Sequence, residues 1–372
     1  MKKLFIVMNE DVFLLTHRKA IAIEAVREGF DVTLIAKNTG RRAEIEALGI
    51  KMIDMPVNPT GMNIFQELKT LYFLHRFYRK ERPDIIHHIG LKLVLCGGVS
   101  ARTSHCRAKI INAISGLGIT FSDTKISLIA RGILKIIQLS TNLNVKFIFQ
   151  NHQDEELFMR YKVITPRQSV FIKGSGVDLD EFTYVPEPDT LPVKIIFTAR
   201  MVKEKGVYVL IEAAEKMRKE YVNHIEFLLC GGLSRSPKAI KKQWLEDHCD
   251  GQYIKWLGHR SDIRDLLGQS HIVAFPSFYR EGVPKSLIEA CAVGRPIITC
   301  DSIGCRDTVE DGKNGYLIPI KDSDALVEKL RMIINDKDLR VRMGYFSRKK
   351  AEVEFSLKDV VRKHMELYSI SE

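Results

Sequence analysis

The sequence predicts two doubly wound α/β domains in tandem, and three observations predict it. Short apolar, β-rich runs alternate with longer amphipathic stretches along most of the 372 residues, the pattern of parallel strands joined by helical crossovers. The alternation pauses over residues 174–193, where Gly174-Ser175-Gly176-Val177-Asp178 is followed by Pro186, Pro188 and Pro192, a linker composition. It then starts again as though from a new beginning. A chain of this length fits two domains of middling size.

In the first half the predicted strands are Leu4–Met8, Val32–Ala36, Ile85–His88, Ile110–Ala113 and Val145–Phe149. Helical patterns such as Leu14–Glu28, Ile64–Lys80 and Ile126–Leu139 lie between them. Met-Lys-Lys before Leu4–Met8 superficially suggests a signal peptide. The apolar run ends after five residues at Asn9-Glu10-Asp11, so it reads as a first strand. After the pause come strands at Val193–Thr198, Ile225–Cys230, Tyr253–Trp256, Ile272–Phe275 and Ile297–Cys300. The last helical stretch, Leu357–Tyr368, fits either domain. No run of about 18 uncharged apolar residues occurs, so no transmembrane helix is expected.

Seven cysteines with no CxxC pair read as buried, reduced thiols of a cytosolic protein. The 57 basic residues exceed the 46 acidic ones by 11. Such a surplus invites nucleic acid, anionic lipid or phosphorylated small molecules without choosing among them.

In open α/β sheets ligands bind at the carboxyl ends of strands, so the chemistry is sought in the loops there. After Val193–Thr198 come Arg200, Lys205 and Gly206. A planar fork and a point charge converging on one loop suit a diphosphate; the plainer alternative is a solvated basic turn. Gly231-Gly232 follow the next strand. The strongest signal is Arg280-Glu281-Gly282-Val283-Pro284-Lys285-Ser286-Leu287-Ile288-Glu289-Ala290-Cys291. Pro284 suits the first turn of a helix, and the free N–H groups beyond it suit an anion. Glu289 lies between apolar neighbours, so it projects from a mostly buried helix and needs donors such as a sugar's vicinal hydroxyls. Glu281 is left to touch whatever sits in front of the phosphate. The alternative makes Glu289 a helix-dipole partner and Glu281 a surface residue.

Together, Glu281-x7-Glu289, the Arg200…Lys205-Gly206 loop, Gly174-Ser175-Gly176-Val177-Asp178, Gly294-Arg295-Pro296 and Asp311-Gly312-x-Asn314-Gly315 resemble the family 4 retaining glycosyltransferases of GT-B fold. The resemblance covers nearly the whole chain and is strongest over 171–320. It implies two Rossmann-like domains facing an interdomain cleft: an acceptor-binding domain over 1–175, onto which a helix at 355–372 packs back, and a donor-binding domain over 190–354. Arg200 and Lys205 would then bind the donor's diphosphate and Glu289 the ribose hydroxyls. Glu281 with the backbone of Gly282, Val283, Pro284 and Lys285 would hold the transferred sugar, Gly231 would lie close by, and the base would lie against Leu257, His259 and Arg260. The resemblance also implies that no metal or other cofactor is used. Asp178-x-Asp180 and Asp322-x-Asp324 are formally DxD, but the first lies in the linker and the second reads as a helix start.

The match is looser in the amino-terminal half. Asn9-Glu10-Asp11-Val12-Phe13 stands where many members have a glycine-rich loop, and Ser115 where many have a histidine. On the acceptor side the candidates are His17, Ser115 and Gly116, although a lone histidine reads as structural before catalytic, which holds for His17 and His88 alike. Asn112-Ala113-Ile114-Ser115-Gly116-Leu117-Gly118 with Val283–Ala290 resembles bacterial members that extend lipid-linked sugars, commonly on undecaprenyl diphosphate, for capsule, O-antigen or N-glycan synthesis. The function implied is transfer of a hexose or N-acetylhexosamine from a nucleotide-diphosphate sugar, UDP-linked by preference, to such an acceptor.

Residues 60–110 carry nine basic against three acidic side chains. A basic amphipathic helix at Ile64–Tyr78 could lie on an anionic membrane surface, or be an ordinary crossover helix with a solvated face. A peripheral place on the inner face of the cytoplasmic membrane follows from the first reading. Nucleic acid is not expected, because no recognition motif accompanies the charge. Two rivals stand beside the transferase: a nucleotide-sugar epimerase on the same plan, and a non-catalytic scaffold of a polysaccharide assembly complex.

Overall fold

The computed structural model describes every residue except 59–62, 119–120, 122–125, 143, 235–238 and 370–372. It divides into two compact units, Met1–Ser175 with Leu357–Glu372, and Gly176–Ser356. The last three residues of the helix expected over 355–372 lie outside the described residues.

Among the described residues the first unit is built on seven strands: β1 Lys3–Glu10, β2 Asp31–Lys37, β3 Lys51–Asp54, β4 Ile85–Ile89, β5 Lys109–Ile114, β6 Val145–Phe149 and β7 Ser169–Phe171. They pair in parallel in the order β3-β2-β1-β4-β5-β6-β7. The crossovers carry α1 Lys19–Arg27, α2 Arg42–Glu46, α3 Ile64–Glu81, α4 Leu91–Thr103, α5 Leu128–Ser140 and α6 His152–Arg160. The stretch read as one helix from Leu14 begins instead with a π turn, Leu14–Arg18, ahead of α1. Asn63, Ser127 and Asn151 start α3, α5 and α6 by accepting first-turn N–H groups.

The second unit carries β8 Val193–Thr198, β9 Ile225–Cys230, β10 Ile254–Gly258, β11 Ile272–Phe275, β12 Ile297–Cys300 and β13 Gly315–Ile318, parallel in the order β10-β9-β8-β11-β12-β13. Its helices are α7 Val207–Tyr221, α8 Lys242–His248, α9 Ile263–Gly268, α10 Lys285–Val293, α11 Ser323–Ile334 and α12 Lys337–Glu354. Asp322 accepts the N–H of Ala325 and caps α11, the helix start expected for the second DxD. The last helix, α13 Leu357–Ser369, belongs to the first unit and packs on α1.

β9 and β11 are buried at every position, as central parallel strands covered on both faces must be. Much of the stretch read as a linker packs on the second unit. Val185 N–H bonds to the Val293 carbonyl, and Glu187 pairs with Arg340 at 2.8 Å, both side chains buried. All seven cysteines are free thiols. Among the described residues no helix is long and apolar enough to cross a membrane. Nor does any group of three His, Cys, Asp or Glu side chains there stand close enough to hold a metal ion.

Candidate functional site

The strand order of the second unit reverses between β8 and β11, and at such a switch point the two following loops part to leave a crevice. Here those loops are stitched together. Phe278 N–H donates to the Glu204 carbonyl at 2.9 Å, and Ser277 Oγ lies 3.3 Å from the same oxygen. Gly206, at φ 84°, closes the first loop in the left-handed region. A Cβ built on it would stand 2.0 Å from the Pro276 carbonyl oxygen, so both its dihedral and its contact require glycine.

That stitching sets Lys205 against Glu281. Lys205 Nζ is 2.6 and 2.7 Å from the two carboxylate oxygens, and it sits 5.1 Å from the Phe275 ring centroid and 5.8 Å from that of Tyr279. Both charged side chains are mostly buried. The ammonium is therefore held by one carboxylate and two ring faces, an arrangement that fixes a cation in position. Ser277 Oγ approaches Glu281 Oε1 at 3.4 Å from behind. Gly304, in the loop after β12, packs so closely that a Cβ there would stand 2.1 Å from the Gly282 carbonyl.

From this loop the chain turns at Pro284 into α10, whose buried residues run from Leu287 to Val293 without a break. Its positive end opens beside Gly282, Val283 and Pro284, all buried. Glu289 sits one turn in, 9% exposed, with Lys285 Nζ 3.5 Å from its carboxylate. Burial pushes its carboxyl above the ordinary range, against the lowering pull of Lys285. A carboxylate so enclosed, with one long ion pair, is poised for hydroxyl donors.

The remaining residues of this unit are more dispersed. Arg200 is exposed where β8 ends, and its side chain makes no ion pair among the described residues. Gly231 is accounted for by its own chain. A Cβ on it would meet the Ala199 carbonyl at 1.7 Å, and Trp256 Nε1 donates to its carbonyl at 2.9 Å. Leu257 is half-buried and His259 exposed, while Arg260 is engaged by Asp262 at 2.5 Å.

In the first unit, His17 is exposed on the π turn after β1 and stacks on Phe13 with ring centroids 6.1 Å apart. Ser115 is exposed, and Gly116 half-buried, at the carboxyl end of β5. His88 is buried, with Nε2 3.0 Å from Tyr78 Oη and Nδ1 2.9 Å from Asn112 Oδ1. Both nitrogens are thus used inside the fold. A Cβ on Gly97 would strike its ring at 2.2 Å, so His88 is a structural residue. Asp11, in the loop that replaces a glycine-rich one, is fully buried and accepts the Thr39 and Arg41 N–H groups at 2.8 and 3.1 Å. It ties the β1 loop to the β2 loop.

Sequence reasoning missed Ser277, Tyr279 and Gly304. Their part is to hold Lys205 and Glu281, and it depends on which loops adjoin. Only the positions of Ser277 and Gly304 after strands could have marked them.

Two parallel doubly wound sheets in one chain fit the GT-B architecture. The structure is similar to a glycosyltransferase of Rickettsia africae, with a TM-score of 0.77 at 21% identity over 99% of this chain and 97% of that one. It is equally similar to HepE of Anabaena, solved with UDP and glucose, with a TM-score of 0.77 at 16% identity over the whole of both chains. Residues 3–151 match the glycosyl transferase 4-like domain and residues 184–350 the glycosyl transferases group 1 domain, and the chain belongs to this family of glycosyltransferases. Among curated relatives, it is 26% identical over 95% of its length to the N,N'-diacetylbacillosaminyl-diphospho-undecaprenol alpha-1,3-N-acetylgalactosaminyltransferase of Campylobacter jejuni, covering 94% of that protein. It is 23% identical over 92% of its length to the UDP-Gal:alpha-D-GlcNAc-diphosphoundecaprenol alpha-1,3-galactosyltransferase of Escherichia coli, covering 89%. These relatives bear out the transferase reading and lend nothing to the epimerase or the scaffold.

Proposed function

We propose that this enzyme moves a hexose or N-acetylhexosamine, with retention, from a UDP-sugar to a sugar carried on undecaprenyl diphosphate in bacterial surface-glycan synthesis. The observation that carries it is the Lys205–Glu281 pair at the switch point beside the amino end of α10. The names of the two curated relatives support the donor and acceptor classes.

In this reading the second unit holds the donor. Lys205, Arg200 and the amino end of α10 neutralise the diphosphate as the bond from the anomeric carbon to the β-phosphate oxygen breaks. The acceptor hydroxyl adds to that carbon from the same face, and its proton passes to the departing phosphate oxygen. Glu289 takes the ribose hydroxyls, and Glu281 orients the sugar while sharing Lys205 with the phosphate. These fixed cations do the work a divalent ion would otherwise do, so no metal is required. The first unit takes the acceptor, with His17, Ser115 and Gly116 at its strand ends.

The enzyme works at an anionic membrane surface, on the cytoplasmic side. α3 exposes Ile64 at 71% and Phe65 at 75%, with Leu68 and Tyr72 further along. A groove of 810 Å³ on the same helix is lined by Lys69, Arg76, Arg79 and Lys80 with Phe73 and Phe77. Each basic side chain near such a surface contributes about 1 kcal/mol. α5 adds exposed Leu128, Ile129, Ile136 and Leu139.

The test is transfer of labelled sugar from a panel of UDP- and GDP-sugars to a short-chain polyprenyl-diphosphate sugar in EDTA. Turnover with one UDP-sugar is expected. Turnover only with GDP-sugars, or only after a divalent ion is added, would overturn the donor and metal assignments respectively. Vesicle flotation tests the surface: neutralising Arg76, Arg79 and Lys80 should release the protein from anionic vesicles, and unchanged flotation would refute that part.

A further inference from the structure

Arg18 closes the π turn before α1 and is only 4% exposed. A guanidinium stays charged, and a buried charge is costly without a counter-charge. Its Nη1 donates to the His17 carbonyl at 3.2 Å, its Nε is buried without a partner, and among the described residues no carboxylate pairs with it. Two imidazoles stand within electrostatic reach of this guanidinium, His87 from the middle of β4 and His364 from α13, with their ring centroids 5.6 Å apart. His87 Nδ1 is 2.7 Å from Tyr368 Oη, and His364 Nδ1 donates to the Val360 carbonyl at 2.7 Å. Among the described residues the Nε2 atoms of both rings are buried without partners.

Three polar side chains from three separate elements, each at least nine-tenths buried, thus leave one nitrogen apiece unsatisfied. We propose that Arg18, His87 and His364 form a buried site for a small inorganic anion of halide size, which fastens α13 to the first unit. Water would satisfy the imidazoles but leave the guanidinium uncompensated. An anion compensates the guanidinium, and it sets a condition on His364. The carbonyl of Val360 already claims the proton on Nδ1, so Nε2 of the neutral ring carries a lone pair that would repel an anion. Binding is therefore coupled to uptake of a proton at His364 Nε2 and strengthens as pH falls. The titratable and charged groups facing His364 are His87 from β4, Tyr368 on its own helix and Arg18 from the turn before α1. His88, next along β4, keeps both nitrogens for Tyr78 and Asn112.

Bromide is the probe. Crystals of the whole protein grown in bromide should show an anomalous peak within hydrogen-bonding reach of Arg18 Nε. Thermal melts at fixed ionic strength, with bromide replacing gluconate, should rise by roughly 3–5 °C for each tenfold increase above its Kd, the rise beginning at lower bromide at pH 6 than at pH 8. Arg18→Gln should lose the bromide response. Should that variant not fold, His364→Gln should lose the pH dependence of the response. No anomalous peak at this position, or melts that bromide and gluconate move equally, would overturn the site and leave water there.

Discussion

Replacing Glu281 by Gln separates two readings of the pair it makes with Lys205. If the pair merely props the loops together, losing either partner harms nucleotide binding in the same way. If Glu281 holds Lys205 in trust for the diphosphate, the carboxylate and the phosphate compete for one ammonium, and the two substitutions act in opposite directions. The structure fixes the scale. Nζ lies 2.6 and 2.7 Å from both carboxylate oxygens, and the side chains are 11% and 19% exposed, so screening by solvent is modest. A hydrogen bond to a charged group nets about 1.5–3 kcal/mol. Because phosphate shares the lysine with Glu281 more than it displaces it, the lower end applies, and Glu281→Gln should bind UDP about tenfold more tightly.

Lys205→Met should do the reverse. It leaves a mostly buried carboxylate facing the incoming diphosphate and should weaken UDP by more than about a hundredfold. The unpaired charge should also cost about 3 kcal/mol of stability, which Lys205→Met/Glu281→Gln should largely restore. Calorimetric titration of UDP in EDTA reads the affinities, and urea unfolding of the same samples reads the stabilities. Turnover of Glu281→Gln should fall even as UDP tightens, because the sugar loses its contact. If Glu281→Gln weakens UDP as much as Lys205→Met does, the competition argument is wrong and the pair is only structural.

Glu289→Gln should make the free protein more stable at pH 8 while weakening UDP and abolishing its preference over dUDP. The native carboxyl is raised above its unfolded value by burial, so the wild type loses stability as pH rises from about 4.5 through the raised value. Melts of both proteins from pH 4 to 8 should converge at the acid end, and parallel curves would contradict this. With no anion bound, His88 and His364 are held neutral by burial, down to about 4 and about 3. With unfolded values near 6.5, the unfolded chain binds the extra protons. Stability should be full above that pH and fall by roughly 1.4 kcal/mol per pH unit per histidine below it, an acid sensitivity that His88→Gln should reduce in urea titrations. Gly206→Ala must put a side chain at φ 84° and 2.0 Å from the Pro276 carbonyl. It should cost at least about 2–3 kcal/mol and weaken UDP by parting the loops, and wild-type melts and affinity would show that the loops are not coupled.

The fold was legible wherever a strand is covered on both sides. Val193–Thr198, Ile225–Cys230, Ile272–Phe275 and Ile297–Cys300 are read from the sequence at the bounds the structure has. Each is central in its sheet and therefore apolar nearly throughout. The strands not foreseen, Lys51–Asp54, Ser169–Phe171 and Gly315–Ile318, all lie at sheet edges. An edge strand buries less and can be short, so Lys51 and Asp54 stay exposed and no apolar run announces the element.

The site divides on a different line, between what a side chain's own neighbours dictate and what the topology brings to it. Glu289 was legible because Leu287, Ile288, Ala290 and Cys291 bury the helix around it, and burial alone makes its carboxylate demand donors. Gly231 is ambiguous for a related reason. A glycine after a strand reports that some backbone comes close, and here the backbone is that of Ala199, which already explains the residue. The pairing of Lys205 with Glu281 spans 76 residues, and that of His87 with Tyr368 spans 281. Neither has a local signature, because each exists only through strand order and helix return. Yet these long-range pairs carry the chemistry proposed for each unit: one presents a restrained cation to a phosphate, the other encloses an unpaired cation beneath a helix. A residue's type says what it can bind, and the crossing of elements decides whether its own chain has already bound it. Arg18 and Lys205 are both cations placed after the first strand of their sheets. Lys205 is met by a carboxylate and, among the described residues, Arg18 is not, and that difference separates the nucleotide site from the proposed anion site.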